Sequence, residues 1–215
     1  MNFIKRQVLL PGARKVNVLL PETVCPDITA ADNGKGYFFL MSNGTGYIAL
    51  TDIFALATSL EKDEIIYCPL EVAHIDAYEH HFSELENHYK GIVIFNFNTT
   101  KINAKDISTV LKTRIYKETK LTRQIAYSDK RPDIWDVGRR LTVKSAGKLL
   151  VISGERAVFT SMAQSCERLS KYGDDSRYNS EREHEHHDWY ENTANSVGIT
   201  FYYWHSKNCL PKEKR

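Results

Sequence analysis

The side chains best suited to chemistry in this chain are the positively charged ones of its central segment. Residues 111–150 hold eleven Lys and Arg against four Asp and Glu, whereas residues 21–110 hold five Lys and Arg against thirteen Asp and Glu. Clustered ammonium and guanidinium groups neutralise nucleic-acid phosphates, and each neutralised phosphate adds salt-dependent affinity. Because the whole chain carries a net charge of only +2, this asymmetry indicates a local binding surface.

We therefore predict an intracellular, nucleic-acid-associated protein that holds the phosphate backbone through this central basic segment. Hydrophobic spacing predicts a helix over 103–117, a second helix over 133–146 and connecting chain between them. Tyr116, Tyr127 and Trp135 lie among the cations and can stack on bases. The cations assigned to phosphate are Arg114, Lys117, Lys120, Arg123, Lys130, Arg131, Arg139, Arg140 and Lys144.

A clustering of histidines supports an alternative function, that of a metal-dependent hydrolase. Seven of the eight histidines fall within residues 74–88 and 184–187, in stretches where the pattern predicts helices over 73–89 and 176–195. Residues three and four apart share a helix face, so each helix would present imidazole and carboxylate together and could bind a divalent metal. The candidate ligands are His81, Glu84 and His88 on the first helix and His184, His187 and Asp188 on the second.

Neither signal decides whether the chain is an enzyme. Lys and Arg are common on solvated helix faces, and so are mixed His and Glu. The acidic first half and the basic segment are also complementary in charge, as in a non-catalytic interaction or inhibitor protein that binds a protein partner or itself. The sequence leaves nucleic acid, divalent metal and protein as alternative partners.

The apolar segments and the cysteines of the chain indicate its cellular compartment. Pro11, Gly12 and Arg14 interrupt the apolar start, and no apolar run approaches the roughly 20 residues of a membrane span. The four cysteines are scattered, without a C-x-x-C pair, which is typical of reduced thiols. We expect a cytoplasmic protein with no membrane contact.

The elements that must position these groups fall into two regions of one predicted domain, residues 1–215. In region 1–50 the pattern predicts a hairpin over 3–20 that turns at 11–14, an irregular loop over 21–36, and a second hairpin over 37–50. The second hairpin turns at Asn43-Gly44, a dipeptide that favours tight turns. Thr51 is then the expected N-cap of a helix.

Region 51–215 alternates short apolar strands with helices. Strands are predicted over 65–71, 91–97, 123–127, 148–153 and 199–204, with further helices such as 155–172 between them. The predicted fold is therefore α/β, with a mostly parallel central sheet flanked by helices and N-terminal β-hairpins. Ligands of such sheets bind beyond the carboxyl ends of the strands, where Asn96, Asn98 and Gly154 are expected.

Overall fold

The computed structural model of the chain describes residues 2–23, 27–70, 85–122, 140–171, 184–187 and 198–203. Strands hold 49% of these residues and helices 26%, so this part of the protein is built mainly from sheets. The strands are β1 (Asn2–Leu10), β2 (Arg14–Pro21), β3 (Ile28–Asp32), β4 (Phe38–Ser42), β5 (Glu64–Pro69), β6 (Asn87–His88), β7 (Gly91–Asn96), β8 (Ile115–Thr122), β9 (Leu141–Ala146), β10 (Leu149–Gly154), β11 (His184–His187) and β12 (Ile199–Tyr203). The helices are α1 (Gly44–Ala57), α2 (Ala104–Lys112) and α3 (Arg156–Ser170).

The strands form two mixed sheets. The large sheet has the order β8-β1-β2-β5-β7-β10-β9, and the small sheet has the order β11-β12-β4-β3-β6. Parallel pairing joins β2 to β5, β7 to β10 and β12 to β4. The other seven pairs among the described strands are antiparallel.

The predicted mostly parallel sheet flanked by helices is therefore wrong. Its main error lies in β9, which was expected to be the end of a helix over 133–146 and is an antiparallel neighbour of β10. A connection of two residues, Gly147 and Lys148, joins these strands, and Gly147 has the positive φ of 61° that a tight turn needs. So short a connection can join only antiparallel strands.

The first hairpin is confirmed. Leu10 pairs with Arg14 across the turn, and the register continues to Phe3 opposite Pro21. Gly12 and Ala13 take positive φ values of 82° and 62° in the turn. Here the local sequence was sufficient, because two runs of strand-forming residues flank a Pro-Gly turn.

The second predicted hairpin is wrong beyond β4, since helix α1 begins where its turn was expected. The side chain of Asn43 accepts a hydrogen bond from the Gly46 backbone N–H at 2.9 Å, which makes Asn43 the N-cap. Tyr47, Leu50 and Phe54 are almost fully buried. A helix surrounded by other elements is apolar on most sides, which obscured its period in the sequence.

The predicted irregular loop over 21–36 contains β3, and all five residues of this strand are buried. Its Thr-Ala-Ala centre has little intrinsic strand preference. Pairing with β4 on one side and β6 on the other decides the conformation. Tertiary contacts thus override a weak local signal.

Each face of the large sheet packs differently. Leu150 and Ile152 of β10 lie in a core shared with α1, α3 and the small sheet, whereas Val151 between them lies in a second core with α2. This alternation follows from the period of two along a strand. None of the helices in the described ranges is long and apolar enough to cross a membrane.

Candidate phosphate-binding cleft

An open cleft of about 300 Å³ lies on the α2 face of the large sheet, near β9. Three cations line it, Lys101, Arg140 and Lys144, together with the hydroxyl residues Thr100, Thr142 and Ser153. Among the residues that the structure describes, no Asp or Glu lines the cleft. The described lining is therefore cationic, and a lining of this kind favours an anion.

The floor of the cleft comes from three adjacent strands. Ser153 on β10 is opposite Thr142 on β9 and opposite Phe95 on β7, so the three side chains point to the same face. Lys144 lies two residues further along β9, on the same face. The intervening Val143 points to the other face and is buried in the shared core. One strand thus supplies both a cation to the cleft and an apolar anchor to the core.

The rim of the cleft is the turn that follows β7. The Asn96 side chain accepts a hydrogen bond from the Asn98 backbone N–H at 2.9 Å, and the Asn96 carbonyl accepts one from the Thr100 N–H at 2.9 Å. The Lys101 ammonium donates to the Phe97 carbonyl at 2.7 Å. These bonds place Lys101 at the rim, and no carboxylate is among the described residues that line the cleft with it.

Arg14 holds the same turn in position through hydrogen bonds and is not among the described lining residues of the cleft. Its Nη1 donates to the Lys101 carbonyl at 2.6 Å, and its Nη2 donates to Asp63 Oδ1 at 2.5 Å. The guanidinium therefore links the rim to the segment before β5. Two polar contacts of this kind restrict where the Lys101 backbone can lie.

The five described cations of the predicted set do not converge. Arg140 and Lys144 line the cleft, whereas Lys117 and Lys120 lie on β8 and Arg114 directly before it. Among the described strands, β8 and β9 are the opposite edges of the large sheet. Six strand spacings of about 4.8 Å separate these edges by about 29 Å. The other four cations, Arg123, Lys130, Arg131 and Arg139, lie outside the described residues.

The helix predicted over 103–117 begins as expected and ends too early to carry these cations. Asn103 accepts from the Asp106 N–H at 2.9 Å in a capping box, but α2 ends at Lys112 and Thr113 is already extended. The residues that follow, Ile115 and Tyr116, are strand formers. They place the next cations on a strand.

Two of the three charged side chains of β8, Glu118 and Lys120, are paired with opposite charges. Lys120 Nζ lies 2.6 Å from Glu22 Oε1, and Arg6 Nε lies 2.7 Å from Glu118 Oε2. The hydrogen bond and charge of Lys120 lower the pKa of Glu22, and Glu22 in turn raises the pKa of Lys120. This edge of the sheet is alternating in charge, unlike the cleft.

The three described residues among the predicted metal ligands lie on strands and not on the two helices expected to hold them. His88 is exposed on β6, and His184 and His187 are on β11, where residues three apart point to opposite faces. His81, Glu84 and Asp188 lie outside the described residues. In the described part of the chain, no group of three or more His, Cys, Asp or Glu side chains is placed to hold a metal ion.

Asp32 is a buried carboxylate on β3 of the small sheet that accepts several hydrogen bonds. It accepts hydrogen bonds from the Gly34 N–H at 2.7 Å, from Asn87 Nδ2 at 3.0 Å and from the Tyr89 hydroxyl. Burial raises the pKa of Asp32, but these hydrogen bonds outweigh it and the pKa is lowered. Burial and the Asp32 carboxylate raise the pKa of Tyr89. A carboxylate held in this way ties β3 to the segment around β6.

Sequence reasoning did not find Lys101, because it lies outside the strongly basic residues 111–150. The signal that could have found it is the polar turn after β7. Asn96 and Gly154 end the parallel strands β7 and β10 side by side, as expected of carboxyl ends that meet at one edge. Lys101 follows Asn96 by five residues in that turn.

No protein-family model matches this chain, no curated protein is significantly similar to it, and no solved structure is significantly similar either. The described residues form two mixed, mostly antiparallel sheets with three helices, and a cationic cleft lies on the larger sheet.

Proposed function

We propose that this protein binds the phosphate backbone of a nucleic acid in the cleft formed by Lys101, Arg140 and Lys144. One observation carries the proposal: cations from two separate places in the fold, Lys101 after β7 and Arg140 and Lys144 at β9, line one open cleft, and no carboxylate is among its described lining residues. Arg binds phosphate through two parallel hydrogen bonds, and Lys binds it as a point charge. The hydroxyl groups of the floor are of the kind that donate to phosphate oxygens.

The volume and the lining residues of the cleft favour single-stranded over double-stranded nucleic acid. A volume of about 300 Å³ is at the small end of ligand pockets and suits one or two nucleotides. Phe97 at the rim presents an aromatic ring, and stacking on such rings is how single-stranded nucleic acid is held without sequence preference. Phosphates would bind the cations while a base stacks on Phe97.

The remaining basic residues extend the proposed path. Arg139 directly precedes Arg140, and the cations at 123, 130 and 131 lie earlier in the same segment. In this proposal they contact phosphates beyond the cleft. A cytoplasmic location, where RNA is abundant, is part of the same proposal.

The decisive experiment compares two triple variants with equal loss of charge. Binding of a labelled single-stranded oligonucleotide is measured by fluorescence anisotropy at low salt. We expect Lys101→Ala, Arg140→Ala and Lys144→Ala together to weaken binding at least about 100-fold, which is about 1 kcal/mol for each cation. The matched control combines Arg114→Ala, Lys117→Ala and Lys120→Ala and should change affinity less than about threefold.

Circular dichroism of both triple variants checks that they are folded. An equal loss of affinity in the two would mean that binding follows net charge rather than the cleft. Absence of binding by the unaltered protein, to single-stranded DNA and RNA alike, would refute the function.

A further inference from the structure

Among the described strands, β8 is an edge of the large sheet, and most of its side chains are exposed. Seven of its eight side chains are exposed and the eighth, Leu121, is half-buried. Tyr116 is 70% exposed, and β1 is the neighbour of β8 among the described strands. An exposed edge strand offers backbone N–H and C=O groups to another strand, and proteins usually shorten, cover or charge such edges. This edge strand is eight residues long, and its charged residues occur in the order Lys117, Glu118 and Lys120.

We propose that β8 pairs antiparallel with β8 of a second copy of this chain, about a two-fold axis through Thr119. The occupant is a second copy because the charge sequence of β8 is complementary to itself. A two-fold interface brings the same surface of both copies together, so each contact occurs twice. The two large sheets would then continue into one another.

Backbone geometry limits the possible registers. In an antiparallel pair, the two residues opposite each other both point their N–H and C=O groups toward the partner strand or both point them away. In a strand that pairs with itself, opposed residues must therefore both be even-numbered or both odd-numbered. The two-fold axis then passes through a residue and cannot pass between two residues.

Charge then selects one axis from those that remain. An axis through Lys117, Glu118 or Lys120 places two identical charges opposite each other, which is destabilising. An axis through any of the other uncharged residues, Ile115, Tyr116, Leu121 or Thr122, pairs at most three residues of β8. With the axis through Thr119, Glu118 of each copy is opposite Lys120 of the other, and residues 116–122 all find a partner.

The two new ion pairs would extend pairs already present within each copy. Arg6 Nε lies 2.7 Å from Glu118 Oε2, and Lys120 Nζ lies 2.6 Å from Glu22 Oε1. Glu118 and Lys120 are two residues apart on β8 and therefore point to the same face. Across the axis the order becomes Arg6, Glu118, Lys120, Glu22, with the sign of charge alternating at each step. Networks of this kind stabilise more than isolated surface pairs.

Charge reversal with rescue tests the register. By sedimentation velocity at low salt we expect the unaltered chain to form a dimer that dissociates as salt is raised. Glu118→Lys and Lys120→Glu should each yield a monomer, because like charges then face each other. The double variant Glu118→Lys, Lys120→Glu should form the dimer again.

The rescue separates contacts between copies from contacts within one copy. In the double variant, Arg6 faces a lysine and Glu22 faces a glutamate in the same copy, so only the pairs between copies are restored. A monomer at every concentration for the unaltered chain would overturn the proposal. So would a dimer that both single reversals leave intact.

A cysteine placed on the axis gives an independent test on the full chain. Thr119→Cys should form a disulfide-linked dimer on mild oxidation, since residues opposite each other in an antiparallel pair have Cα atoms about 4.5–5.5 Å apart. The matched control, Lys117→Cys, places the two sulfur atoms four residues out of register and should not cross-link above the unaltered chain. Equal cross-linking of the two cysteine variants would overturn the register.

Discussion

The two edges of the large sheet carry cations in opposite ways. At the β9 edge, Arg140 and Lys144 line a cleft that has no carboxylate among its described lining residues, and Leu141, Thr142 and Val143 of the strand are buried. At the β8 edge, Lys120 and Arg6 each bind a glutamate, and no side chain of the strand is fully buried. Both edges belong to the same basic stretch of sequence, so a count of charges does not distinguish them.

The two edges differ in the electric field that their charges produce at a distance. A concave site lined by charges of one sign concentrates the electric field and attracts an anionic ligand. Alternating charges on a flat, exposed strand cancel at a distance and act only on a partner whose charges are in register. We therefore connect the β9 edge with nucleic acid and the β8 edge with a second protein strand.

The largest expected difference between the edges is in stability. Leu141 on β9 is 1% exposed, and Leu141→Ala should lower the free energy of unfolding by about 3 kcal/mol through lost burial and a cavity. Leu121→Ala on β8 should cost about 1 kcal/mol, because Leu121 is half-buried. Urea denaturation with an unchanged slope measures both. Equal losses would mean that the two edges are packed alike.

Removing one cation should change the salt dependence of oligonucleotide binding at the β9 edge and not at the β8 edge. Arg140→Ala should weaken oligonucleotide binding about tenfold and reduce the slope of log affinity against log salt by about 0.7 for a single strand. Lys117→Ala should leave both quantities unchanged. The measurement is an anisotropy titration at several salt concentrations. A slope that falls equally for the two variants would place β8 on the binding path.

Arg14 should have a smaller effect, because it positions the cleft and does not line it. Arg14→Ala removes its bond to the Lys101 carbonyl and should weaken oligonucleotide binding about threefold with the salt slope unchanged. Arg14→Lys keeps the charge but not the forked geometry, so it should resemble Arg14→Ala. A reduced salt slope for either variant would mean that Arg14 itself contacts phosphate.

The smallest expected effect concerns the Glu22 carboxyl. Its pKa is held below 4.5 by Lys120, so Lys120→Ala should raise the pKa toward that value, and Lys117→Ala should not. Because the folded-state pKa is lowered, this pair contributes to stability at pH above 4.5, and the contribution is lost as pH falls through the folded-state pKa. NMR titration of the carboxyl carbon measures the shift. An unchanged pKa in Lys120→Ala would show that the pair does not persist in solution.

The described histidines, like the cations of the two edges, are placed by strand pairing and not by their spacing in the sequence. Residues three or four apart share a face only on a helix, and the described histidines at 88 and 184–187 lie on the strands β6 and β11. His186 instead lies with its Nδ1 3.0 Å from Thr200 Oγ1, and the His184 ring stacks on Tyr202 at 5.2 Å between centroids. These contacts follow from strand pairing of β11 with β12. The candidate metal ligands outside the described residues stay a prediction.

Several elements were determined by local sequence alone. The hairpin of β1 and β2, the apolar strands β5, β7, β10 and β12, the helix α3, and the capped start of α2 all lie where the pattern predicted them. Each has a strong local cause: a turn dipeptide, a run of strand-forming residues, or a capping residue before an amphipathic stretch. The concentration of positive charge in residues 111–150 was likewise visible in the sequence.

Tertiary structure decided the direction of the strands and the grouping of the charges. The stretch from Leu141 to Ala146 fits both a helix and a strand locally, and only pairing with β10 makes it a strand. That pairing brings Arg140 and Lys144 to Lys101, while pairing with β1 takes Lys117 and Lys120 to the far edge. Sequence sets which charges exist and which short segments prefer to be extended or helical. Hydrogen bonding between distant strands sets which charges meet, because a position in a sheet depends on partners remote in the chain.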